Sequence, residues 1–152
     1  MRLRNIIIPA ATVLTIAIAS WVTSGGMGWY RTIVVPGWTP AGMIIGIVWT
    51  VLFALAMSSA LIVFNRSKTK ALRGIAIVYV INAILNVGWS LTFFGLHRIG
   101  ASIFVSALLD VSVIALIVRI RPISRIAAWL LVPYALWVTF ATYLTYAIWR
   151  LT

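Results

Sequence analysis

Five long apolar stretches fill this chain, and almost every charge falls in the gaps between them. A helix needs about 17–25 mainly apolar residues to cross a bilayer. The stretches Ile6–Thr23, Met43–Phe64, Gly74–Leu96, Ala101–Val118 and Ile126–Trp149 fall in that range. They lack the polar/apolar alternation of barrel strands, so they read as helices. The expected fold is an all-α integral membrane protein, a five-transmembrane-helix bundle forming one domain over residues 1–152. Arg2 and Arg4, an apolar core and Ala17-Ile18-Ala19 also have the layout of a secretory signal. The apolar run continues to Val22, which favours a span that stays in place.

Charged residues make up 9% of the chain, against about 25% in soluble domains. The net charge is +11, which in a soluble protein would point to nucleic acid. Here the basic residues flank apolar spans, so anionic lipid headgroups are the expected counter-charge and nucleic acid is not an expected partner. The basic residues also set an orientation. Nine of them (Arg2, Arg4, Arg66, Lys68, Lys70, Arg73, Arg119, Arg121, Arg125) fall on one side. Only Arg31, Arg98 and Arg150 fall on the other, which predicts the N-terminus inside and the C-terminus outside. The segment 25–42 is then an external loop, rich in Gly, Pro and aromatic residues, and expected to fold over the helix ends.

Groups for ordinary catalysis are scarce. The chain has one acid, one histidine and no cysteine, which excludes disulfides and thiolate metal sites. Paired carboxylates, a Ser-His-Asp triad and a side-chain metal cage lack the residues or a workable arrangement. His97 reads as an interfacial loop residue, with an axial haem ligand as the alternative. Asp110 is the one acid and lies mid-span, where a charge costs about 2.5–3.5 kcal/mol on insertion scales. Ser102, Ser106 and Asp110 recur at i, i+4 and i+8, so they are expected to share an inward face, with Asn86 as a partner at similar depth. Asp110 reads either as a packing contact or as a proton- or ligand-coupled group.

Asn82, Asn86, Trp89 and Phe93 share one face of the third span. Trp49, Phe53 and Ala56 repeat the pattern in the second, and Tyr134, Trp137 and Ala141 in the fifth, where Pro133 is expected to kink the helix and free a carbonyl. Such stripes are often plain core. Eight tryptophans in 152 residues are nevertheless many. Trp21, Trp129 and Trp149 lie near span ends and fit an interfacial belt. Trp49, Trp89 and Trp137 lie deeper, and flat aromatic walls with a few amides suit a large planar apolar ligand. Gly42-x-x-x-Gly46 and Ala56-x-x-x-Ala60 permit close helix contact and weakly support a dimer. Leu144, Tyr146 and Arg150 fit a cholesterol-contact pattern of low specificity.

The segments WYRTIVVPGWTPAG and VWTVLFALAMSSA, INAILNVGWSLTFFGLH in the third span and LLVPYALWVTFATYL in the fifth resemble, in this order, the translocator protein family, also called tryptophan-rich sensory proteins or peripheral benzodiazepine receptors. The resemblance implies a five-helix bundle, often a homodimer. It implies a cavity under the first loop for porphyrin or haem-like tetrapyrroles, sterol-like lipids and aromatic drugs, with a sensing or transport role. No cofactor is required, and porphyrin or haem would be a ligand. By position, Trp49 and Trp137 match tryptophans lining that cavity, and Asn86 and Trp89 match an N-x-x-W-S motif. Tyr30, Trp38, Phe53, Phe93 and Ala141 join them as ligand-binding candidates. An alternative activity is light-dependent porphyrin degradation, with Trp49 and Trp137 as catalytic relays; another is a lipid-binding scaffold. The chain departs from the family at Ala41, Asn82, Asp110 and Thr145, which bears on ligand identity more than on fold.

Overall fold

The computed structural model describes residues 2–68 and 70–152; Met1 and Thr69, inside the domain read from sequence, lie outside the described residues. Every regular element among them is helical: α1 (Arg4–Tyr30), α2 (Gly42–Arg66), α3 (Ala71–Ser90), α4 (Ile99–Ile120), α5 (Arg125–Leu130) and α6 (Val132–Leu151). A π-helical turn, Leu91–Gly95, prolongs α3. Five spans are long and apolar enough to cross a membrane, the fifth built from α5 and α6 together. This is an all-α integral membrane protein. The helices close a ring in which α1 packs on α2 and α3, α3 on α4, α4 on α6, and α5 returns to α2.

Most bounds follow the hydropathy, and the differences have physical causes. The first span was expected to end at Thr23 and a loop to begin at residue 25, but α1 runs through Gly25, Gly26 and Gly28 to Tyr30. Glycine weakens an isolated helix, yet here one glycine makes the packing possible. A Cβ on Gly26 would run into the Phe94 carbonyl oxygen, so α1 and the π-helical turn touch backbone to backbone. Gly42 and Gly46, read as the close-contact pair, have open space at their Cβ positions. The true first connection is only residues 31–41, with Pro36 and Pro40 in it.

The fifth span breaks at Leu131, between α5 and α6. Pro133 sits in the first turn of α6 and has no N–H to give to the carbonyl four residues back. The backbone tightens there, with the Leu131 N–H bonding to the Ala128 oxygen, one residue short of the α-helical partner. The Ala127 carbonyl is thereby released, and Ser59 Oγ on α2 donates to it at 2.8 Å. Tyr79 OH on α3 donates to Ser59 Oγ at 3.1 Å, so α2, α3 and α5 are tied at the buried Ser59 hydroxyl. Lipid offers no water to such groups, which makes the pairing obligatory.

Two apolar clusters fill the ring. The larger holds Leu52, Val63, Ile75, Val113, Leu116 and Val138. The smaller, at the end carrying the first connection, holds Phe93, Phe94, Ile99, Leu144 and Ile148. The glycine pair in α1 gives a direct check. Gly25 has nothing near its Cβ position, so Gly25→Ala should hold or raise the melting temperature. Gly26→Ala should lower stability by about 1–3 kcal/mol, the usual cost of forcing atoms into a packed contact. Thermal unfolding followed by circular dichroism reads both; equal melting of the two variants would show that the α1 contact is not limiting.

Candidate functional site

The centre of the bundle is polar. Asn86 Nδ2 donates to Tyr134 OH (3.3 Å), Tyr134 OH donates to Asn82 Oδ1 (3.1 Å), and Asn82 Nδ2 donates to Ser112 Oγ (2.9 Å). Ser112 Oγ ends the chain on the Leu109 carbonyl at 2.6 Å. All four side chains are buried, and they link α3, α4 and α6. Asn82 and Asn86 are one turn apart on α3, so both meet the same tyrosine. The 3.6-residue periodicity of the third span makes the two amides legible. The role of Tyr134 as the hydroxyl between them was not.

Asp110 differs from its expected setting. Ser102 and Ser106 are buried, but steps of four residues advance about 40° each around a helix. By Asp110 the face has turned to the seam between α4 and α6, and Asp110 is half-buried. Its partner is not Asn86: Thr139 Oγ1 on α6 lies 2.6 Å from Asp110 Oδ2. Asp110 Oδ1 is buried with no hydrogen-bond partner among the described residues.

Aromatic side chains gather toward the end carrying the first connection. Trp49 packs on Phe53 (5.7 Å) and edge-on to Tyr134 (6.1 Å), so it joins the polar centre. Trp89 stacks on Phe93 at 5.4 Å, and Tyr30 leans on Phe93 and Phe94. Trp29 stacks on His97 at 4.2 Å, in a turn where His97 adopts φ 57°, a left-handed value uncommon for a side-chain-bearing residue. The first connection lies across this end. Its Ile33 and Val35 pack on the smaller cluster, while Trp38 stacks on Tyr143 (5.7 Å) and meets Phe140 edge-on (5.9 Å).

A cleft of about 450 Å³ opens between α2 and α6, lined by Ile47, Val51 and Leu55 on one side and Pro133, Leu136, Trp137 and Phe140 on the other. Ile47, Val51 and Leu136 are exposed, so the mouth faces the hydrocarbon of the bilayer. Trp137 packs on Phe140 at 5.3 Å, and through Phe140 the cleft wall reaches Trp38 above it. Thus Trp137 lines the cleft and Trp38 meets its wall only through Phe140, whereas Trp49 sits toward Tyr134 and, like Phe53, lies outside the lining. Ala141 is half-buried on α6, also outside the lining. Phe140 was missed by sequence reasoning, although its spacing of three from Trp137 was the available signal. The indole Nε1 groups of Trp89 and Trp137 are buried without an acceptor among the described residues. Leaving such a donor unpaired costs about 1–3 kcal/mol. Leu144 belongs to the core, while Tyr146 and Arg150 are exposed, so the three residues of the sterol pattern do not form one surface. No group of three or more His, Cys, Asp or Glu that would hold a metal ion occurs among the described residues.

Comparison with known proteins agrees with this layout. The sequence profile of the TspO/MBR family matches residues 6–150. The chain is 37% identical over 120 residues to the uncharacterized membrane protein YtaB of Bacillus subtilis, covering 79% of this chain and 77% of that one. It is 34% identical over 123 residues to the tryptophan-rich protein TspO of Bacillus cereus, covering 81% and 80%. It is 29% identical over 133 residues to the translocator protein of Homo sapiens, covering 86% and 78%.

The polar centre makes a prediction of its own. Tyr134→Phe keeps the ring but strands Asn82 Oδ1 and Asn86 Nδ2, so stability should fall by about 1–3 kcal/mol. Tyr143→Phe, an exposed hydroxyl on the same helix, should change little. Thermal unfolding of both variants in the same detergent checks this; equal effects would show that the central chain contributes no net stability.

Proposed function

This chain belongs to the TspO/MBR family, and from that premise we propose that it is a membrane binding protein for flat, hydrophobic ligands, tetrapyrroles foremost, with a sensing or transport role. The observation that carries this reading is the apolar cleft between α2 and α6, open to hydrocarbon and walled by the flat rings of Trp137 and Phe140, with Trp38 edge-on to Phe140. Ligand sites are typically apolar concavities of about 300–1,000 Å³ with few polar groups. The unpaired indole donor of Trp137 supplies such a group, and a ligand carboxylate or ring nitrogen, reached by a small turn of the ring, would relieve its cost. Sterol-like and aromatic molecules fit the same chemistry. The protein acts as one five-helix domain. The bare Gly42–Gly46 face of α2 suits close approach by a second copy in a homodimer.

Protoporphyrin titrated into the protein in nanodiscs, followed by absorbance and tryptophan fluorescence, tests the reading. Saturable binding is expected in the dark. Trp137→Ala should weaken it by about 2 kcal/mol, roughly thirtyfold, and Trp137→Phe by less. Trp21→Ala, on the exposed face of α1, should leave the affinity unchanged. Loss of affinity equal to that of Trp137→Ala would move the ligand to the lipid-facing surface. Bleaching under light, slowed by Trp49→Phe or Trp137→Phe, would favour a degrading enzyme. Absence of any binding would favour a lipid-binding scaffold.

The orientation belongs to the same proposal: the N-terminus and the nine-arginine-and-lysine end lie inside, and the C-terminus with the first connection outside. With no native cysteine, single cysteines report it cleanly. Gly37 has open space at its Cβ position and Lys68 is exposed. In intact cells an impermeant maleimide should label Gly37→Cys, and label Lys68→Cys only after lysis. The reverse pattern would invert the topology.

A further inference from the structure

At the basic end of the bundle, Arg66, Arg121 and Arg125 line one pocket of about 430 Å³, with Pro122, Ile123 and Ser124 between them. Arg66 closes α2, Arg121 follows α4 and Arg125 opens α5, so three separate spans converge there. No carboxylate answers them. The one acid of the chain, Asp110, lies eleven residues before Arg121 on α4, about 16 Å along the helix. Three guanidiniums around an unneutralised hollow repel one another, and each presents a planar fork of donors that matches phosphate oxygens.

We propose that this pocket is a specific site for the headgroup of an anionic phospholipid, with a two-phosphate headgroup as the best match to three arginines. The rim commits the pocket to a lipid rather than a free anion. Trp129 lies one turn below Arg125 on the same face and is 71% exposed. Val118, three residues before Arg121, and Ile126 are exposed as well. The guanidiniums therefore stand at the water boundary with apolar side chains directly beneath them on the membrane side, where acyl chains descend. Basic pockets between spans commonly take such headgroups. A soluble phosphate would use the arginines and gain nothing from Trp129. The site is at the opposite end from the first connection, and it does not depend on the tetrapyrrole reading.

The test is native mass spectrometry of the full chain released from phosphatidylcholine bilayers containing a minor fraction of cardiolipin. One retained cardiolipin per protein is expected, with no comparable retention of phosphatidylcholine. The triple variant Arg66→Gln, Arg121→Gln, Arg125→Gln should lower its retention on the order of a hundredfold. The triple variant Arg31→Gln, Arg98→Gln, Arg150→Gln removes the same charge at the other end and should leave retention unchanged. The single Arg125→Gln, exposed at a helix start, keeps the comparison open if the first triple does not fold; it should lower retention several-fold. Equal losses in the two triples would reduce the effect to diffuse attraction and overturn the proposal. Binding of inorganic phosphate to the detergent-solubilised protein with no cardiolipin retained would assign the pocket to a soluble anion and overturn it too.

Discussion

The chain of hydrogen bonds from Asn86 through Tyr134, Asn82 and Ser112 to the Leu109 carbonyl fixes how three of the five spans stand against one another. In hydrocarbon there is little hydrophobic drive to bring helices together, because lipid is as apolar as leucine. Register must come from packing shape and from polar groups that have nowhere else to turn. The order of donors is consistent along the chain, since each side chain that accepts a hydrogen bond donates one to the next. An amide suits the middle of such a chain because it offers both an acceptor and donors on one rigid plane. Asn82 uses both, taking the Tyr134 hydroxyl and giving to Ser112. The aromatic walls inherit their heights from this contact. Trp89 is three residues beyond Asn86, and Trp137 three beyond Tyr134, so fixing the amide–tyrosine pair fixes both rings.

Hydropathy made the five spans legible because burial in lipid asks for the same thing at every residue. The helix ends were less so, since they answer to single contacts. Gly25 and Gly26 look alike in sequence and both argue for a loop, yet only Gly26 meets the Phe94 backbone. That distinction depends on a π-helical turn more than sixty residues away, which no local pattern contains. Asp110 failed differently. The spacing of four from Ser106 was read as a shared face, but the drift of that row around the helix carried the acid to Thr139 at the lipid seam.

The candidate site was legible residue by residue and not as an assembly. Asn82, Asn86, Trp89 and Phe93 lie on the predicted face, because a helix transmits its period faithfully over a few turns. Which rings face one another is decided between helices, and there the sequence is silent. Trp49 and Trp137 both lie inside spans, but Trp49 turns toward Tyr134 and Trp137 toward the cleft. The first connection was expected to cover the helix ends, and Trp38 does so by stacking on Tyr143.

The cleft itself follows from a backbone defect that also strengthens the fold. Without an N–H at Pro133, the fifth span cannot continue straight through Leu131. The short α5 therefore packs chiefly on α2, held by the Ser59 bond to the released Ala127 carbonyl. Beyond the break α6 packs chiefly on α4 and barely touches α2. Two helices joined at one end and parted at the other leave a wedge between them, and Pro133 sits in its lining. The side chains around the wedge are apolar because they face lipid, so a hydrophobic molecule dissolved in the bilayer can reach Trp137 without crossing water. A break that would be a defect in an isolated helix here ties one end of the span down and opens the other to the membrane.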